Sequence, residues 1–206
     1  MLLRVLLAGV LGGIAMFMWG FVAHTVLPLY NDVSKVAVKE DAMLDSLKSY
    51  LKEPGLYMVP GMDMSKTMTE EEKAAFTKKW QTEGHALICY SAPTGEDPIS
   101  VKTLAPQFLA CVITAFLLAL VLWKGAGDAS FLAKIWMSTL IGVIASVAID
   151  GSFVIWHGFP QGYLVASILD HAASFFLAGA VAAFVMRPAK TLLMRPSKAG
   201  HISTRP

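Results

Sequence analysis

The segment from Ile135 to Trp156 reads IWMSTLIGVIASVAIDGSFVIW and contains a single charged residue, Asp150. It is longer than the roughly 20 residues that an α-helix needs to cross a ~30 Å hydrocarbon core. Inside lipid, backbone amide and carbonyl groups must find partners within the segment, so a continuous apolar run of this length predicts a helix. We therefore predict that this segment spans a membrane.

Three other segments are almost free of charge: Val5 to Leu29, Leu104 to Trp123 and Gly162 to Met186. These runs are continuous rather than alternating, which disfavours a β-barrel. Charged residues make up only 16% of the 206-residue chain, whereas soluble domains usually contain about a quarter. The sequence predicts a membrane all-α fold, with a bundle of four transmembrane helices and a small α+β cap inserted between helices 1 and 2.

This prediction divides the chain into four parts. Residues 1–29 form transmembrane helix 1, residues 30–103 the extracytoplasmic α+β domain, residues 104–186 transmembrane helices 2–4, and residues 187–206 a basic cytoplasmic tail. The apolar run of helix 1 exceeds the core of a signal peptide, so we expect it to be retained. Inside the α+β domain, we expect one helix from Asn31 or Asp32, a second from the Thr69–Glu72 capping box, and two short strands that pair.

The charge distribution predicts the orientation. The segment from residue 30 to 103 carries nine Lys against twelve Asp or Glu. The segments on the other side carry Asp128 as their one acid, and their cations are Arg4, Lys124, Lys134, Arg187, Lys190, Arg195, Lys198 and Arg205. Lys and Arg in short flanking segments favour the cytoplasmic side. We expect both termini in the cytoplasm, residues 30–103 outside it, and a bacterial inner membrane as the location.

Five ionisable residues fall in the outer half of the predicted spans: His24, Asp150, His157, Asp170 and His171. Because carboxylates facing lipid are costly, we expect these side chains to converge inside the bundle. A carboxylate beside a histidine suits a proton relay or a metal site. The alternative interpretation is structural, with hydrogen bonds between helices holding the bundle together.

Small residues on helix 1 predict a close helix contact. Gly9 and Gly13 form a small-xxx-small pair, and we assign Gly20 to the same packing face. His24, four residues beyond Gly20, continues this face and is expected to point into the bundle.

The sequence predicts no cofactor, although it leaves copper and haem as alternatives. Thioethers bind Cu(I), and four methionines cluster in the outer segment: Met58, Met62, Met64 and Met68. Methionines also fill irregular gaps in small cores. A haem would be held by His24 together with His157 or His171. The two cysteines, Cys89 and Cys111, are not expected to form a disulfide.

No nucleophile or general base stands in a catalytic motif, which disfavours an enzyme. The net charge of +2, without a basic patch, argues against a nucleic-acid partner. We expect the partners to be the lipid bilayer and either another membrane protein or a second copy of the chain. The first hypothesis is a non-enzymatic accessory, assembly or scaffold subunit with an outward-facing interaction domain. The alternatives are a proton- or ion-coupled transport or relay component, and a haem- or metal-binding redox protein.

Overall fold

A computed structural model of the protein describes residues 1–63 and 65–187. The described residues form six helices and two strands, in the order α1 Leu2–Thr25, α2 Glu40–Tyr50, β1 Gly55–Val59, α3 Glu70–Thr82, β2 Ala86–Tyr90, α4 Val101–Gly125, α5 Phe131–His157 and α6 Gln161–Val185. The tail after Arg187, predicted to be basic and cytoplasmic, lies outside the described residues.

Four of these helices are long and apolar enough to cross a membrane, namely α1, α4, α5 and α6. The prediction of four candidate spans is therefore confirmed, and the chain is a multi-pass membrane protein by composition and helix length. Local sequence signals set the bounds of α5. The Ser130 hydroxyl accepts a hydrogen bond from the Ala133 amide at its start, and Gly158 ends it with a φ of 70°.

Helix α6 contacts each of the other three long helices, and α1 packs between α6 and α4. Helix α5 packs chiefly on α6. A guanidinium nitrogen of Arg4 donates to the Arg187 carbonyl oxygen at 2.6 Å, so both ends of the described chain lie at the same end of the bundle. The apolar core occupies this half of the bundle and includes Val5, Leu118, Leu122, Ala182 and Met186.

Glycines allow α1 and α4 to approach closely. A Cβ added at Gly9 would lie 2.8 Å from the Phe116 Cβ, and one added at Gly13 would lie 2.6 Å from the Val112 Cα. Both distances are too short for any larger residue. Gly20 differs, because an added Cβ there would meet nothing within 4 Å. Gly20 therefore does not share this close contact with α4, although α1 still contacts α6 at this level through Trp19.

The residues between α1 and α4, numbered 26–100, form an insert that contains α2, α3 and a two-stranded sheet. Strands β1 and β2 pair antiparallel, with Gly55 opposite Tyr90 and Val59 opposite Ala86. Helix α3 begins at the predicted capping box, in which Thr69 and Glu72 each bond the other's backbone amide. His85 lies against Gly158, so the insert contacts the turn between α5 and α6.

The first helix of the insert begins later than predicted, at Glu40 rather than at Asn31 or Asp32. The intervening chain forms a turn, in which the amides of Val33 and Ser34 donate to the Tyr30 carbonyl. The Tyr30 side chain points back into the bundle. Its hydroxyl donates to Asp170, so this turn lies against α6, and α2 begins further along the chain.

Candidate functional site

Asp150 is a buried carboxylate on α5, with 8% of its side chain exposed. The Ser146 hydroxyl, one helical turn earlier, donates to Oδ2 at 2.6 Å. The Tyr163 hydroxyl, in the first turn of α6, donates to Oδ1 at 3.0 Å. Both carboxylate oxygens therefore accept a hydrogen bond, and one of these bonds joins α5 to α6.

His171 on α6 faces the same carboxylate. Its Nδ1 lies 3.5 Å from Oδ2 of Asp150, and among the described residues this buried nitrogen has no hydrogen-bond partner. His171 therefore lies beside the carboxylate without contributing a hydrogen bond through Nδ1.

Asp170 is the second carboxylate, also on α6, and 14% of its side chain is exposed. The Trp19 indole nitrogen on α1 donates to Oδ1 at 2.7 Å, and the Tyr30 hydroxyl donates to Oδ2 at 3.2 Å. The His24 Nε2 lies 3.5 Å from Oδ2. Asp170 therefore connects α6 to α1 and to the first turn of the insert.

Tyr30 covers the Asp170 site from the insert. Its ring stacks on His24 with 4.9 Å between ring centroids. Burial raises the pKa of Tyr30 to about 12, a hydrogen bond with Ser167 opposes this shift, and the negative charge of Asp170 adds to it. Tyr30 therefore stays protonated at neutral pH and acts as a hydrogen-bond donor to the carboxylate.

Three hydroxyl groups lie between the two carboxylates. Tyr163 donates to Asp150 and Tyr30 donates to Asp170. Ser167 on α6 is 2% exposed and lies near both tyrosine hydroxyls. Each carboxylate also has one histidine beside it. The arrangement consists of two carboxylate–histidine pairs with three hydroxyls between them, and we call it the polar cluster.

Four of the five predicted residues belong to this cluster: His24, Asp150, Asp170 and His171. His24 borders it rather than pointing into the bundle, because 57% of its side chain is exposed. The structure does not bring His157 to either carboxylate, and its ring instead packs beside Phe153. The Nδ1 atom of His157 is buried and, within the described part of the chain, has no hydrogen-bond partner.

Sequence reasoning missed the two donors that α1 and the insert bring to Asp170, Trp19 and Tyr30. A signal for Trp19 was present, because an indole N–H inside an apolar helix usually requires an acceptor. Tyr30 carried no comparable signal. Its contact depends on the turn that reverses the chain after α1.

The described residues do not assemble an evident metal site. Within residues 1–63 and 65–187, no group of three or more His, Cys, Asp or Glu side chains could hold a metal ion. Of the four outer methionines, Met64 lies outside the described residues. Met68 lines an open cleft of about 500 Å³ beside Val59 and Phe76, a position typical of a methionine that fills a gap. Cys89 and Cys111 are free thiols.

No family model, curated protein or solved structure matches this chain. The polar cluster can bind protons, and its hydrogen bonds hold α1, α5 and α6 together.

Proposed function

We propose that this chain is a non-enzymatic accessory, assembly or scaffold subunit of a bacterial inner membrane, whose insert binds a partner protein. In this arrangement the polar cluster fixes the geometry of the bundle, and the bundle presents the insert to its partner. The partner is another membrane protein or a second copy of this chain.

The observation that carries the proposal is the lack of a core in the insert. From residue 24 to residue 114, no described residue is fully buried. Two valines before α2, Val36 and Val38, are almost completely exposed. Small domains are marginally stable even with a compact core, and exposed apolar groups of this kind mark surfaces that a partner covers. A bound protein would supply the missing contacts.

The sheet of the insert offers such a surface. In the described residues it has two strands, so β1 and β2 each have one edge without a strand partner. Leu56 on β1 is 67% exposed and lies opposite Cys89, which is exposed as well. Two strands alone are marginally stable in water, and an added strand or a covering helix stabilises them.

The polar cluster supports the scaffold role. Asp170 binds donors from α1 and from the insert, and Asp150 binds Tyr163 across the contact between α5 and α6. Hydrogen bonds between membrane helices contribute about 0.6 kcal/mol each on average. Several bonds at one level of the bundle favour a single relative placement of its helices.

The proposed orientation has both termini in the cytoplasm and the insert outside. The charge distribution supports it, because cations predominate at the end that carries the termini while the insert is acidic. The hydrogen bond from Arg4 to the Arg187 carbonyl is consistent with this orientation, since it requires both ends of the described chain on one side.

A photo-crosslinking experiment in intact membranes tests the interaction surface. A photoreactive amino acid replaces Leu56 in the full chain, and the matched control carries it at Lys78, an exposed polar position on α3. We expect a discrete adduct from the Leu56 probe whose mass identifies either a second copy or another protein. Equal and diffuse labelling from the two probes would contradict the proposal.

A proton-relay component is the second candidate, favoured by the hydroxyls of Tyr163, Ser167 and Tyr30 that lie between the two carboxylate–histidine pairs. Groups of this kind pass protons along hydrogen bonds. The half of the bundle near the termini does not continue this series of hydroxyls, because the hydroxyls of Ser138 and Thr139 bond to carbonyls of their own helix. A relay of this kind therefore requires a route completed by another subunit.

Proton flux into liposomes containing the full chain distinguishes this second candidate. A relay predicts measurable flux that both Asp150→Asn and Tyr163→Phe abolish. The control Ser152→Ala, at an exposed position of the same helix, should leave flux unchanged. Absence of flux above empty liposomes, from the chain alone or with its crosslinked partner, would eliminate the relay.

A further inference from the structure

Three cations lie at the end of the bundle that carries the termini: Arg4 on α1, Lys134 near the start of α5, and Arg187 just after α6. Arg4 of α1 donates to the carbonyl oxygen of Arg187, which follows α6. The Arg187 guanidinium lies 4.3 Å from the ring centroid of Phe131, the first residue of α5. Lys134 lies one helical turn after Phe131 and so shares its face. We call Arg4, Lys134 and Arg187 the cation cluster.

Lys134 is buried, with 7% of the residue exposed. Its ammonium donates to the Gly127 carbonyl at 2.9 Å. An ammonium has three N–H donors, and Lys134 forms no ion pair with a carboxylate of the described residues. A largely buried cation without a carboxylate partner is costly, so an anion from outside the chain would stabilise it.

The chain itself offers little negative charge here. Asp128 is the one acidic side chain between Asp97 and Asp150, and the sequence contains no Asp or Glu after Asp170. Within the described residues, Asp128 forms no ion pair with any member of the cation cluster. No carboxylate of the described residues therefore serves as a counter-ion for the cluster.

We propose that the cation cluster binds the phosphate of an anionic phospholipid in the leaflet that meets the two termini. The planar guanidinium groups of Arg4 and Arg187 match the geometry of phosphate oxygens. The rings of Phe131 and Phe184 hold the Arg187 guanidinium at the surface of the bundle, at 4.3 and 5.4 Å from their centroids. Basic pockets between transmembrane helices at this level bind lipid headgroups.

The surroundings of the cluster favour a lipid over a free anion. Leu132, Trp136 and Phe184 are largely exposed on the helices beside the cations. A phospholipid would place its phosphate on the cation cluster and its acyl chains on these apolar side chains. Inorganic phosphate would use the cations alone.

Native mass spectrometry of the full chain in mild detergent tests the proposal. Phosphatidylglycerol and phosphatidylcholine are added in equal amounts, and their dissociation constants are compared. We expect the wild type to prefer phosphatidylglycerol, and Arg4→Gln and Arg187→Gln each to weaken its binding about fivefold. Both substituted side chains are partly exposed, so the glutamine variants leave the apolar core intact. Arg187→Lys keeps the charge and should restore part of the affinity.

Lys124→Gln is the matched control, because Lys124 lies over the Trp123 ring on the same end of the bundle but outside the cluster. Binding that falls equally in all three glutamine variants would overturn the proposal in favour of general attraction to a basic surface. Competition by millimolar inorganic phosphate equal to that by phosphatidylglycerol would also overturn it, because a free-anion site would then suffice. This inference does not depend on the partner of the insert.

Discussion

The Nδ1 atom of His171 and the Oδ2 atom of Asp150 lie 3.5 Å apart across the contact between α5 and α6. The carboxylate already accepts hydrogen bonds from Ser146 and Tyr163, whereas the imidazole nitrogen has no hydrogen-bond partner among the described residues. Asp150 therefore accepts the hydrogen bonds at this contact, whereas the Nδ1 atom of His171 makes none among the described residues.

This asymmetry predicts different effects of two substitutions at neutral pH. Asp150→Ala leaves two buried hydroxyls without their acceptor and should cost about 1–3 kcal/mol of unfolding free energy. His171→Phe removes no hydrogen bond made by Nδ1 and should cost less than ~1 kcal/mol. Reversible unfolding in mixed micelles would measure both. A larger loss from His171→Phe would show that the imidazole, rather than the carboxylate, holds the two helices.

Trp19 and Asp170 should be energetically coupled. A double-mutant cycle of Trp19→Phe and Asp170→Asn is expected to give a coupling energy of roughly 0.6–1.7 kcal/mol, between the average and the maximum found for hydrogen bonds between membrane helices. The same cycle between Trp156→Phe and Asp170→Asn serves as the control, because Trp156 is exposed. Equal coupling in the two cycles would contradict the hydrogen bond from the Trp19 indole.

Gly13 and Gly20 on α1 should respond differently to an added methyl group. Gly13→Ala places a Cβ 2.6 Å from the backbone of Val112 and should destabilise the bundle by about 1–3 kcal/mol. Gly20→Ala meets nothing within 4 Å and should be neutral or slightly stabilising, because alanine favours helix. Thermal unfolding of the two variants side by side checks this, and equal losses would refute the close contact of α1 with α4.

Tyr30 predicts a loss of stability at alkaline pH. Its pKa is raised from 10.0 to about 12, so the unfolded chain releases this proton at a lower pH than the folded chain. The stabilisation is complete below pH 10 and is lost as the pH rises through about 12. We expect the Tm of the wild type to fall more steeply between these values than the Tm of Tyr30→Phe.

The control for this titration is Tyr50→Phe, because the Tyr50 side chain at the end of α2 is exposed. It should keep the alkaline slope of the wild type. A Tyr30→Phe variant with the same slope as the wild type would assign the alkaline transition to other groups.

Much of the fold follows from the sequence because membrane spans obey a strong rule. A continuous apolar run has to satisfy its own backbone, so the four spans and the side chains sharing each helical face were predictable. The meeting of Asp150 with His171 followed from the cost of exposing a carboxylate to lipid.

The remaining features depend on relationships between elements. Helical periodicity does not specify how one helix is rotated or spaced relative to the next. The sequence therefore did not show that a Cβ added at Gly20 meets nothing within 4 Å, or that the His157 ring lies beside Phe153. The role of Tyr30 depends on the path of an irregular turn, and its position in the sequence does not specify that path. The location of the insert outside the membrane stays a prediction.

The bond between Trp19 and Asp170 spans 151 residues of sequence, which has a consequence for biosynthesis. At ribosomal rates of about 5–20 residues per second, Asp170 emerges roughly 8–30 s after Trp19. During that interval α1 occupies the bilayer without the acceptor for its indole. The contact between α1 and α6 at Asp170 therefore forms late, after α4 and α5 have been synthesised.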